Sequence, residues 1–185
     1  MTYKTPLTST TDFGLMKVGS GLSVTDGTVS ATGGGLAANY GFFSNGTQTN
    51  PVANTVNTAT LSITGPANGI SVVGSTAITV VNAGVYTVLF TLLVAKTSGG
   101  TSPVSFWLRL NDVDVPGSRQ DLELINTLSQ IFTSGNFTLD VPAGGNVKFC
   151  WSSPDITVNL SAIPAAVAPI RPTGASLKIT MTRIS

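Results

Sequence analysis

The 185-residue chain has no histidine, a single cysteine and very little charge. Without histidine, Ser-His-Asp triads, Cys-His dyads and nearly all zinc or iron centres are excluded. Cys150 cannot close an internal disulfide, so stability has to come from packing or assembly. Charged residues are 9% of the chain, against roughly a quarter in an average domain. The nine Lys and Arg are scattered singly and the formal net charge is +1, so no basic stripe exists to neutralise phosphates and no nucleic-acid partner is expected. The longest apolar run, Val85 to Ala95, is shorter than the roughly 20 residues that span a bilayer, and no membrane partner is expected either. The segment Met1-Thr2-Tyr3-Lys4-Thr5-Pro6 lacks the basic and apolar regions of a signal peptide, which predicts folding in the cytoplasm where the chain is made.

What the chain has in quantity is the vocabulary of strands and turns. Hydrophobic residues make up 42%, and the polar remainder is rich in Thr, Ser, Asn and 20 Gly, residues of strands and turns rather than helices. A chain of this length suits one domain and buries roughly 70% of its unfolded surface. From Leu36 onward, apolar runs bounded by Gly, Asn, Pro or Ser recur at short intervals. Strands are predicted at 38–43, 58–64, 69–74, 76–82, 84–96, 103–110, 128–140, 145–152, 155–161 and 174–183. That spacing argues for an all-β sandwich or jelly roll. The nearest approach to helical periodicity, Asp121 to Ile125, reads equally well as a strand.

Residues 1–36 differ. They hold few large apolar groups, but Gly21 to Ala31 alternates apolar and polar residues around Asp26-Gly27, a hairpin signal with Leu22, Val24, Val29 and Ala31 on one face. A lone hairpin with so small a face is marginal in water, so it must lie against something else. Gly33-Gly34-Gly35 then serves as a joint. The expectation is an extended N-terminal arm over 1–36 and a separate domain over 37–185. The alternative for the first part is a partly disordered leader.

One strand is apolar on both sides. Tyr86, Val88, Phe90, Leu92 and Val94 form the natural core face, while Val85, Leu89, Leu93 and Ala95 lie opposite. Such a strand must be covered twice, by a second subunit or by the chain's own loops. A subunit interface through Val85, Leu89 and Leu93 is the more economical reading. Trp107 and Arg109 alternate with Phe106, Leu108 and Leu110, and Trp107 joins the expected interface. The Pro-rich segment Ile163 to Pro172 cannot be a central strand and is expected to run extended over a neighbour.

Candidates for chemistry are few. Asp112 and Asp114 fit either a calcium site or turn chemistry, and the turn is favoured. Asp121 and Glu123 have no identifiable cleft for acid–base work. No G-x-S-x-G elbow occurs, and without histidine no base serves a serine. Trp107 and Trp151 suit a sugar platform less well than core or interface packing. Cys150 reads as a small buried core residue. No enzyme activity, cofactor or metal is expected.

Asn82-Ala83-Gly84-Val85-Tyr86-Thr87-Val88-Leu89-Phe90 resembles the G-x-Y-x-F/V-x-F/Y signature of tumour-necrosis-factor-like jelly rolls. Gly84 is the tight turn, and Tyr86, Val88 and Phe90 are the core positions. Phe106 to Ser118, Phe137 to Val147 and Ala175 to Arg183 are similar to further elements of that superfamily, which implies a compact homotrimer. Thr11-Asp12-Phe13-Gly14-Leu15-Met16-Lys17-Val18-Gly19-Ser20-Gly21-Leu22-Ser23-Val24 is similar to repeats of phage and viral structural proteins. Together the resemblances imply a virion component on the outer capsid surface: a capsid decoration (cement) protein bound to the major capsid protein. Its arm would attach through Leu15, Met16, Val18, Leu22, Val24 and Val29. The rival readings are the receptor-binding head of a fibre, with loops 44–57 and 97–103 on a host-surface glycan, and a cell- or spore-surface adhesion trimer.

Overall fold

The computed structural model describes Ala38–Ser185, together with the backbone of two short strands, β1 (Leu22–Thr25) and β2 (Thr28–Ala31). The chain divides into two units at Ala37/Ala38. In the first, β1 and β2 pair antiparallel with Leu22 opposite Ala31 and Val24 opposite Val29. This is the register that a two-residue Asp-Gly connection demands.

The second unit is a sandwich of two antiparallel sheets, and no helix occurs among the described residues. In chain order its strands are β3 (Tyr40–Asn45), β4 (Gln48–Thr49), β5 (Asn57–Thr58), β6 (Ile63–Asn68), β7 (Ile70–Val73), β8 (Ala77–Val80) and β9 (Gly84–Lys96). There follow β10 (Ser102–Leu110), β11 (Val113–Asp114), β12 (Gln120–Leu124), β13 (Gln130–Val141), β14 (Asn146–Ser152), β15 (Val158–Leu160), β16 (Ala166–Val167), β17 (Ile170–Arg171) and β18 (Leu177–Arg183). One sheet runs β7-β8-β14-β10, with β12 and β11 sharing the other edge of β10 and β5 beside β14. The other runs β6-β3-β18-β9-β13, with β15 pairing the C-terminal end of β9 past the end of β18 and β4 beside β15. The chain passes repeatedly between the sheets, among other places at β8–β9, β9–β10, β12–β13 and β13–β14, the winding of a jelly roll.

Alternation places the core where the two sheets face each other. Tyr86, Val88, Phe90, Leu92 and Val94 of β9 are all buried, as are Val104, Phe106 and Leu108 of β10 and Val147, Phe149 and Trp151 of β14. Phe90 sits at the centre. Its ring lies 5.5 Å from that of Phe106, edge-on, and 5.2 Å from that of Phe149, both across the sandwich. Opposite Phe90 on β13 stands Gly135, where an added Cβ would lie 2.5 Å from Phe90 Cε1. The missing side chain is the space the phenyl ring occupies.

At the entrance to β9, Gly84 has φ +154°, and a Cβ there would meet the Ser185 carbonyl at 2.2 Å. Only glycine fits this turn. Two residues on, the buried Tyr86 hydroxyl donates to the Asn82 carbonyl at 2.7 Å, which keeps its polar end satisfied inside the core. Burial pushes the Tyr86 phenol pKa upward.

Two details differ from expectation, and one ambiguous segment resolves as a strand. The predicted strand 58–64 is two strands in different sheets, β5 and β6. Ala59 and Leu61 between them are buried, so the apolar run marks a crossing and not one ladder. Asp121–Leu124 belongs to a strand, β12, whose register sets Asp121 opposite Ser105. The segment Ile163–Pro172 turns back on itself as the ribbon β16–β17, with Val167 and Ile170 exposed.

Candidate functional site

Two surfaces carry most of the residues singled out from the sequence, and one buried cluster lies apart from them. The first surface is the outer side of the β9 sheet. Register puts Thr87, Leu89 and Thr91 of β9 beside Thr182, Thr180 and Lys178 of β18 and beside Thr138, Asn136 and Ser134 of β13. Leu89 is 46% exposed at the middle of this face, and Phe132, on β13, is 66% exposed. Tyr40 of β3 and Ile63 of β6 add two more exposed apolar groups on the same side.

Of the four residues expected at a subunit interface, three share one face of one sheet and the fourth does not. Val85 and Leu89 share this outer face, Val85 half-buried. Leu93 shares it too but is only 6% exposed, and Ala95 likewise. The chain itself buries the Leu93 side chain, while its backbone continues the ladder, its N–H donating to the Ser176 carbonyl and its carbonyl accepting from Ser161 N–H. Leu93 therefore offers no free surface to a second subunit. Trp107 stands on β10, in the opposite sheet; alternation along 106–110 sets its two faces but not which sheet the strand enters.

The second surface is the outer side of the β10 sheet. β10 and β11 are joined by Asn111-Asp112, both at positive φ (50° and 66°), the backbone of a type I′ hairpin turn. That turn folds Asp114 back beside Arg109. Asp114 Oδ1 accepts from Arg109 Nε at 2.6 Å and from Trp107 Nε1 at 2.7 Å. The Arg109 guanidinium, then the indole N–H, hold the Asp114 carboxyl below its usual pKa. Arg119 Nε donates to Asp121 Oδ1 at 2.9 Å, and another nitrogen of its guanidinium to Ser105 Oγ at 3.4 Å. Lys148 Nζ donates to Asp112 Oδ1 at 2.5 Å. Asp112 and Asp114 are thus engaged by cations of the chain itself, and no cluster of three metal-ligating side chains occurs among the described residues. A groove of about 440 Å³ opens here, lined by Ser105, Trp107, Asp114, Arg119, Ser152 and the Val115–Gly117 turn. Cys150, opposite Trp107 in register, is buried, and burial pushes its thiol pKa upward. Trp151 faces the core, with its indole N–H unpaired among the described residues.

The buried cluster went unseen in the sequence. Lys96 ends β9 with its side chain 0% exposed, ion-paired with Asp155 at 24% exposure. Lys96 Nζ also donates to Ser102 Oγ at 2.5 Å, and Ser102 Oγ donates to Asp155 Oδ2 at 2.7 Å. Asp155 Oδ1 accepts from the backbone N–H and the hydroxyl of Thr157. Lys96 above all, then these other donors, holds the Asp155 carboxyl far below the usual carboxylate range. The arrangement is a clip between β9, β10 and the loop before β15. A lysine closing an otherwise apolar run was the one signal of it.

Of the expected arm residues, Leu15, Met16 and Val18 lie outside the described residues. Leu22, Val24 and Val29 fall on β1 and β2.

No protein-family model matches the chain, and no curated protein sequence does. Among solved structures, the chain is similar to that of Eiger TNF from S. frugiperda. The TM-score is 0.50 at 11% identity, over 80% of this chain and 93% of that one. The likeness is one of fold: an all-β sandwich of the tumour-necrosis-factor-like jelly-roll type.

Proposed function

We propose that the chain is a virion structural protein, a homotrimer whose jelly roll decorates the outer capsid surface. Residues 1–36 fasten it to the major capsid protein. The observation that carries the reading is the outer face of the β9 sheet, where Tyr40, Ile63, Leu89 and Phe132 stand exposed on a single chain. Scattered apolar groups need no explanation; what supports association is that four of them share one side of one sheet, set among short polar side chains with little charge. An obligate interface of this kind buries roughly 2,000–5,000 Å². The motif resemblances over 11–24 and 82–90 supply the viral and trimeric parts of the proposal.

Two outcomes are expected. Leu89→Glu places a charge at the centre of the apolar face and converts the trimer to monomer, read by light scattering at micromolar concentration. A trimer that persists unchanged would move the interface elsewhere. Deleting residues 1–36 leaves a soluble trimer that no longer binds particles, read by co-sedimentation with purified particles from the source. Retained binding would sink the role of the arm. With so few charges on the chain, binding by the intact protein changes little between low and high salt.

A further inference from the structure

We propose that the groove beside Trp107 is a binding site for a neutral glycan. The idea stands apart from the capsid reading, since a decoration protein and a fibre head alike can carry such a site. Its first element is the half-buried Trp107, the described tryptophan that is not sealed in the core. Its N–H is fixed on Asp114, so the indole is held in one orientation before any ligand arrives. A pre-oriented aromatic plane suits the apolar C–H face of a pyranose, because little ordering entropy remains to be lost.

The second element is the hydroxyl-matching chemistry around the ring. A sugar hydroxyl both donates and accepts, and neighbouring hydroxyls need a donor and an acceptor side by side. Asp114 is an acceptor on one side of the groove, and Ser105 and Ser152, opposite each other in register, do both. Arg119 spends two hydrogen bonds on Asp121 and Ser105 among the described residues. A guanidinium has five N–H donors, which leaves others for a ligand. The groove volume, about 440 Å³, lies within the range of small-ligand clefts, roughly 300–1,000 Å³.

The third element decides the charge of the ligand. The cations of this face pair one to one with carboxylates: Arg109 with Asp114, Arg119 with Asp121, Lys148 with Asp112. Glu123, two residues beyond Asp121 on the same side of β12, adds one further negative charge. No net positive field exists to draw a sialic acid, a uronic acid or a phosphate. This charge balance disfavours an anionic ligand, and the class proposed is a neutral glycan.

The test uses the full chain on an array of neutral hexose oligosaccharides (glucan, mannan and galactan fragments), with sialylated and uronic-acid oligosaccharides as charged comparators. Hits are titrated by calorimetry and by tryptophan fluorescence, which reports Trp107. The expected result is saturable binding of at least one neutral oligosaccharide, on the order of millimolar for a single site. Trp107→Ala should weaken it at least tenfold. Arg119→Ala should weaken it severalfold with an unchanged unfolding midpoint, which separates lost contact from lost fold. Retention of no neutral glycan, of charged glycans alone, or equal binding by Trp107→Ala would each overturn the proposal.

Discussion

Asp155→Ala is expected to destabilise the jelly roll by about 3–5 kcal/mol, the cost of leaving a buried charge without its partner. The Lys96 side chain is wholly buried, and without Asp155 its ammonium keeps only Ser102 as a polar partner in the described cluster. The reverse change, Lys96→Met, should cost much less. Asp155 is partly exposed and retains the Ser102 hydroxyl and both Thr157 donors. The double variant should recover most of the loss, since an apolar side chain of similar size replaces a buried pair at little cost. Urea unfolding of all four proteins at one fixed concentration closes the cycle. An Asp155→Ala cost below about 1 kcal/mol would mean that Lys96 finds water in solution. The pH dependence has a definite sign. The folded Asp155 pKa lies below the unfolded value near 3.8, so its contribution is present above that pH. It is lost as pH falls from there through the folded value, and it is constant near neutrality.

Phe90→Ala is expected to cost about 3–5 kcal/mol, the range for truncating a buried aromatic. Phe90 touches both sheets: Phe106 and Phe149 lie across the sandwich, and Phe137 stacks at 5.9 Å on its own side. Removing the ring empties the middle of the core, while the β9 pairing with β13 and β18 keeps the walls from collapsing inward. For a domain of this size the loss corresponds to a fall in Tm of roughly 10 °C. The companion change Gly135→Ala drives a methyl into the same ring and should cost about 1–3 kcal/mol. Calorimetry on both variants checks the pair. A tolerated Gly135→Ala with no shift in Tm would show that Phe90 has another place to go.

Much of the fold was legible because a strand records its own faces. Tyr86, Val88 and Phe90 alternate with Val85, Thr87 and Leu89, and that period alone places the first three inside. The Asp26-Gly27 pair between Leu22–Thr25 and Thr28–Ala31 predicts the hairpin register that β1 and β2 adopt. The run 58–64 misled for a related reason. Ala59 and Leu61 are apolar because the core receives them in passing, and a crossing segment looks like a strand when only its hydrophobicity is read.

The surfaces were harder. Nothing in Ser105-Phe106-Trp107-Leu108-Arg109 says that Asp114 will hold the indole N–H, although the polar alternation on that strand was the available sign of the groove. Trp107 was grouped with Leu89 because both occupy the outward side of their own strands, yet those outward sides belong to opposite sheets.

By itself the sequence determined which chemistries are excluded, where most strands run, which side of each is apolar, and where tight turns must fall. These are local properties: a missing side-chain type, a two-residue period, a glycine or an Asn-Asp pair that accepts positive φ. The tertiary structure alone decided what covers each second face and which distant groups meet. Leu93 is buried within its own chain while Leu89, four residues away on the same face, stays open. Lys96 finds Asp155 across 59 positions. Such outcomes depend on the order in which strands are laid into the two sheets, and a pattern written along one strand carries no information about its neighbours.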